Sequence, residues 1–103
     1  MTPLSARGVV IPTSMTASIT LYGATDCDDT ERTRHRLNAL RLPHREVNID
    51  ADADAERFVI FINAGFRSTP TLVFETGKRK LVLTEPTDAE LEAALLELGF
   101  QWP

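Results

Sequence analysis

Between residue 18 and residue 99 the chain switches repeatedly between two hydrophobic periods. Ser18 to Tyr22 alternates, with Ile19 and Leu21 set against Thr20 and Tyr22, and predicts a short strand. From Asp28 the period becomes helical. Thr33, Leu37 and Leu40 form one stripe, and Arg32, Arg34, Arg36 and Arg41 fall largely off it, so a helix is expected from about Asp28 to Leu40, stopped by Pro43. His44 to Asp50 alternates again through Val47 and Ile49. A second helix follows, with Ala55, Phe58, Val59 and Ile62 at i, i+3, i+4 and i+7, Asp54 as its cap and Gly65 as its stop. Ile60 and Phe61 lie off that stripe. Thr71 to Glu75 and Arg79 to Leu83 read as strands joined by Thr76-Gly77-Lys78, a hairpin. Thr87-Asp88-Ala89-Glu90 is a capping box that opens a last helix with Leu91, Ala94, Leu95 and Leu98 inside. Gly99 is its stop, and Trp102 lies beyond.

The predicted order is βαβαββα. A helix between the first two strands makes them parallel with a right-handed crossover, and the last pair is antiparallel. The expected class is α/β, with a four-stranded mixed sheet and three helices on its faces. Residues 18–103 are expected to form one domain, preceded by a flexible tail over residues 1–17. That tail is rich in Thr and Ser, carries one Arg and no acid, and its Val9-Val10-Ile11 is too short for the apolar centre of a secretory signal.

Composition narrows the partners. A hydrophobic share of 43% over 103 residues suits a modest core, and a net charge of −4 gives no footprint for nucleic acid. No run is long enough to span a membrane. With one cysteine no internal disulfide can form, so a reducing compartment, the cytoplasm, is expected. His35 and His44 lack zinc-ligand spacing, Asp50, Asp52 and Asp54 read as loop solvation plus a helix cap, and no metal site is expected.

That cysteine, Cys27, falls where a strand hands over to a helix. Unpaired N–H groups and the positive end of the helix dipole favour a thiolate there. Asp26, Asp28 and Asp29 oppose it by like charge, and the sequence leaves the net sign open. The competing reading of Cys27 is a small core hydrophobe, which three neighbouring aspartates disfavour. Thr30 stands where a second cysteine would complete Cys-x-x-Cys. Its hydroxyl can donate to the sulfur from the next turn, or the residue can pack inside the helix. The chemistry left is monothiol, with Cys27 taking a small thiol from a mixed disulfide and passing it to a second thiol.

Ile19 to Thr30, with the strand and cysteine turn, resembles the glutaredoxin family of the thioredoxin-like fold. Asn63-Ala64-Gly65-Phe66-Arg67-Ser68-Thr69-Pro70-Thr71-Leu72-Val73-Phe74 is similar to that family's Gly-x-Arg-Thr-Val-Pro segment, and Leu83 to Leu91 to its last-helix start. The nearest flavour is the monothiol, mycoredoxin-like group. The resemblance implies a thiol–disulfide oxidoreductase with Cys27 and Thr30 as catalytic residues and a thiol groove framed by Thr25, Arg57, Ser68, Thr69, Pro70, Thr87 and Asp88. It implies a cis bond before Pro70 and an Arg57 that meets a substrate carboxylate. It implies a low-molecular-weight thiol (glutathione, mycothiol or bacillithiol) as co-substrate, no tightly bound cofactor, protein disulfides or mixed disulfides as partners, and a monomer. The chain departs from the family at Ala24, where a lysine is usual, at Glu85-Pro86, where Gly-Gly is usual, and at Cys27-Asp28-Asp29-Thr30, which is not the Cys-Gly-Phe-Ser of iron–sulfur carriers. The alternative is a thioredoxin-fold module that binds a protein partner without turnover.

Overall fold

The structure is a computed structural model and describes residues 17–77 and 79–100. The expected tail before Ala17, Lys78 of the hairpin turn, and Trp102 lie outside the described residues. The sheet is built around β1 (Ser18–Gly23), which has β2 (Arg45–Asn48) parallel on one side and β3 (Thr71–Thr76) antiparallel on the other; β4 (Arg79–Thr84) completes the order β2-β1-β3-β4. Helices α1 (Asp28–Ala39), α2 (Ala53–Ile62) and α3 (Asp88–Glu97) fall in the expected places. No helix among the described residues is long and apolar enough to cross a membrane.

Alternation along the strands sorts side chains onto two faces. Ile19 and Leu21 of β1 stand opposite Phe74 and Leu72 of β3, and with Leu37 of α1, its C-cap residue Leu40, and Leu91 and Leu95 of α3 they make the main core. On the other face Ile49, Ala55 and Val59 form a smaller cluster, with Tyr22, Val47 and Phe58 packed against it. The Tyr22 and Phe58 rings meet at 5.1 Å, tilted by 40°. Thus α1 and α3 cover one face and α2 the other. The central β3 is buried from Thr71 to Phe74 on both sides.

Three expectations are corrected. The cap of α2 is Asp52, not Asp54: its Oδ1 accepts from the Ala55 N–H at 3.0 Å, because the helix begins at Ala53 and places Asp54 inside the first turn. The second strand is shorter than His44 to Asp50, since at the sheet edge only Arg45–Asn48 pairs with β1. Ile49 is buried beyond its end, with its N–H bonded to the Gly23 carbonyl at 2.9 Å. The α2 stripe narrows toward its C-terminus. Ile62 is partly exposed there, and Phe61, expected off the stripe, is 81% exposed.

The ends of α1 and α3 share one closing pattern on different residues. α3 closes as expected with Gly99 at φ +86°, the Gly99 N–H on the Leu96 carbonyl and the Phe100 N–H on Leu95. α1 closes by the same pair of bonds, Arg41 to Asn38 and Leu42 to Leu37, before Pro43 is reached, and it puts an arginine at φ +58° in the glycine-favouring place.

Candidate active site

The site starts from how β1 hands over to α1. Ala24 to Asp26 make the turn, with Asp26 at φ +54°, a conformation that Asp tolerates better than most residues. Cys27 is then the N-cap residue of α1, its backbone extended and its side chain half-buried. The neutral thiol closes no cap hydrogen bond of its own. Its sulfur lies 3.4 Å from Thr69 Oγ1, and the S–H reaches the Thr69 carbonyl at 3.8 Å. The bond between Thr69 and Pro70 is cis. The cysteine and the cis-proline segment, 42 positions apart in sequence, are therefore adjacent.

Several groups act on the Cys27 proton. Burial pushes the pKa up. Hydrogen bonds from the Thr30 and Thr69 hydroxyls and from the Thr30 and Asp29 backbone amides favour the thiolate, and together they win, leaving the thiol below its ordinary value. The sign that the three aspartates left open is thereby a lowering. Thr30 packs inside: it is fully buried and its hydroxyl accepts from the Ala24 N–H at 3.4 Å, and that hydroxyl is among the groups that lower the Cys27 pKa.

The proline segment is pinned from behind. The Thr71 hydroxyl donates to the Ser68 carbonyl at 2.9 Å and accepts from Asn63 Nδ2 at 3.0 Å. Asn63 also donates to the Val59 carbonyl and accepts from the Thr84 hydroxyl. The Glu85 N–H holds the Pro70 carbonyl at 2.8 Å. Thr69 and Pro70 are thus presented by α2, β3 and β4 together.

Other residues expected in the groove have local partners. Arg57 is turned to Asp54 on its own helix, with 70% of its side chain exposed, and makes no hydrogen bond or ion pair to the cysteine turn or the proline segment. Thr87 and Asp88 sit at the start of α3. Thr87 is its cap, with Oγ1 accepting from the Glu90 N–H and its own N–H on Glu90 Oε1, and Asp88 lies 3.7 Å from Arg32 Nε. Thr25 is exposed, and its N–H donates to Asp50 Oδ2 at 2.8 Å while its hydroxyl accepts from Asn48 Nδ2 at 3.0 Å.

Sequence reasoning missed the role of Asp50. Read as loop solvation, it instead links two halves of the site. One carboxylate oxygen takes the Thr25 amide and the other takes Arg67, which also bonds Glu56. Those bonds hold its carboxyl below the usual range, the Thr25 amide first and Arg67 next. The only signal in the sequence was Arg67, two positions before Thr69. Nothing local paired it with residue 50. Among the described residues no group of three or more His, Cys, Asp or Glu side chains could hold a metal ion.

No family model matches the chain. Two curated proteins that carry the glutaredoxin name, from Mycobacterium tuberculosis strains H37Rv and CDC 1551, are each 33% identical over 85 residues, which is 82% of this chain and 98% of theirs. Among solved structures, thioredoxin O2 from Arabidopsis thaliana in its oxidised state superposes with a TM-score of 0.62 at 18% identity, covering 82% of this chain and 76% of that one. A glutaredoxin from Archaeoglobus fulgidus does so with a TM-score of 0.56 at 17% identity, covering 85% and 96%. The structural matches speak for the fold and the sequence matches for the family. With its cysteine at the head of α1 facing a cis-proline, the chain belongs to the glutaredoxin family on a thioredoxin-like fold, and its chemistry is of the thiol-oxidoreductase kind.

Proposed function

We propose that the protein is a monothiol thiol–disulfide oxidoreductase in which Cys27 is the nucleophile. The observation that carries this reading is the Cys27 sulfur at the head of α1, 3.4 Å from the Thr69 hydroxyl and lowered in pKa by the donors around it. The Cys27 thiolate attacks the small-thiol sulfur of a mixed disulfide. That S–S bond breaks, the protein thiolate leaves and takes a proton from water, and Cys27 now bears the small thiol. A second low-molecular-weight thiolate attacks that sulfur and releases Cys27, forming a symmetric disulfide. The number of disulfide bonds is conserved: the protein sulfur returns to the thiol level as the sulfur of the second small thiol rises to the disulfide level. The leaving and entering chains would lie along the Thr69 segment as an added strand does. Thr30 and Thr69 would hold the thiolate at each stage. Ser68, Pro70, Thr87 and Asp88 would border the groove. One cysteine and no internal resolving thiol suit a reducing compartment such as the cytoplasm, and a monomer suffices for the cycle.

The test is mass spectrometry of intact protein after parallel exposure to the disulfides of glutathione, mycothiol and bacillithiol, with Cys27→Ser as control. A mixed-disulfide adduct on the parent chain, removed by excess thiol, supports the reading. No adduct with any of the three on folded protein ends it.

A further inference from the structure

The charges around the thiol bear on which disulfide it accepts. The three arginines that reach the loops around Cys27 are already neutralised. Arg67 is held between Asp50 and Glu56. Arg32 lies on Asp29 at 2.7 Å and near Asp88 at 3.7 Å, and donates to the Pro86 carbonyl at 3.0 Å. Arg34 grips both oxygens of Glu46. Asp26 and Asp28, one on either side of Cys27, are exposed and make no side-chain hydrogen bond or ion pair among the described residues. A cleft of about 270 Å³ opens beside the turn, and it too contains Asp26 and Glu31, while its one guanidinium is the engaged Arg34. Among the described residues, a carboxylate arriving on a small thiol meets no free cation here. An ammonium meets two unpaired carboxylates on the residues that flank Cys27, and a cleft beside the same turn with room for it.

We propose that this protein selects its disulfides by charge, reacting with cationic partners faster than with neutral ones and slowest with anionic ones. The proposal rests on Cys27 being the nucleophile. The same covalent step serves all three partners: the Cys27 thiolate bonds one sulfur of the disulfide, the S–S bond breaks, and the other sulfur leaves as a thiolate that takes a proton from water. Only the approach differs, because a local field changes association rates and salt screens it.

The probes are cystamine, 2-hydroxyethyl disulfide and glutathione disulfide, which carry cationic, neutral and anionic arms. Rates of adduct formation on the full chain are followed by intact mass. Each is divided by the rate of the same disulfide with dithiothreitol, which removes differences between leaving groups. The expected result is cystamine ahead of glutathione disulfide by about tenfold at low salt, with the ratio collapsing toward unity near about 1 M salt. Two variants separate local charge from a general effect. The double variant Asp26→Asn/Asp28→Asn should narrow the ratio, even if every rate rises with a more abundant thiolate. Glu56→Gln should release part of Arg67 and raise the glutathione disulfide rate by a few-fold. Equal normalised rates, a salt-independent order, or glutathione disulfide in front would each overturn the proposal. A folded protein inert to all three probes is a different result: it removes the nucleophile itself, and the selectivity with it.

Discussion

Gly23 and Thr30 lie so close that a Cβ added at residue 23 would fall within 3.0 Å of the Thr30 Cγ2 methyl. The end of β1 and the first turn of α1, the helix whose N-cap is Cys27, meet at this point. A side chain at 23 must therefore displace Thr30, whose hydroxyl helps to lower the Cys27 pKa.

Gly23→Ala is accordingly expected to destabilise the fold by about 1–3 kcal/mol, the range for overpacking a filled site. It should also raise the Cys27 pKa, because Thr30 is buried and moves with its backbone. Denaturant unfolding and a thiolate titration at 240 nm on the same sample check both halves. A variant with unaltered stability would contradict the close approach.

The Cys27 pKa can be tested directly. Alkylation by iodoacetamide should reach half its maximal rate below the pH at which an unfolded peptide of the same sequence does. Thr69→Val and Thr30→Val each remove a hydroxyl that favours the thiolate, so each should move that midpoint upward. Thr30→Ser, which keeps the hydroxyl, should move it less. The sign for stability follows from the lowered pKa. The stabilisation by the bound thiolate is complete above the unfolded thiol's pKa and fades as pH falls through the folded value.

Asp50 predicts an acid-sensitive link. Its pKa is lowered by the Thr25 amide and by Arg67, so its contribution is present above the unfolded carboxyl pKa and lost as pH falls through the folded one. Amide exchange at Thr25, corrected for intrinsic rates, should accelerate across that acid window. In Asp50→Ala the exchange should be fast at all pH. If Thr25 exchanges alike in parent and variant, Asp50 does not hold the turn.

Arg41 offers a stabilising change. At φ +58° it occupies the position that closes α1, where a side chain costs about 1 kcal/mol relative to glycine. Arg41 is exposed, so Arg41→Gly is expected to raise stability by about 0.5–1 kcal/mol in chemical denaturation, with the reaction rate of Cys27 unchanged.

Thr87→Ala should cost about 1 kcal/mol, because it removes the acceptor for the Glu90 amide at the start of α3. Measured beside Thr87→Ser, it separates the cap from any part Thr87 plays in the groove: the serine variant keeps the cap bond, so thiol exchange altered in both variants alike would point to the groove.

The periodicity of the chain carried most of the architecture. Strand alternation in Ile19 and Leu21, the stripe Thr33, Leu37 and Leu40, and the capping box at Thr87 are local signals, and each reports a face that must be buried or a backbone group that must be paired. The same is true of Cys27 at a strand–helix junction, since neighbours in sequence define it. What needed the folded chain was every relation across distance. The net sign of the thiol's shift depended on Thr69, brought beside Cys27 by the antiparallel placement of β3 against β1. The identity of the α2 cap depended on where the chain entered the helix, which Asp52 and Asp54 could not distinguish by type. The pairing of Asp50 with Thr25 and Arg67 joined three loops, and the neutralisation of Arg67 also drew in Glu56 of α2. The physical reason is that a hydrogen bond or ion pair needs two groups within about 3 Å, and sequence patterns report burial and helical or strand period, not which distant partner the packing delivers.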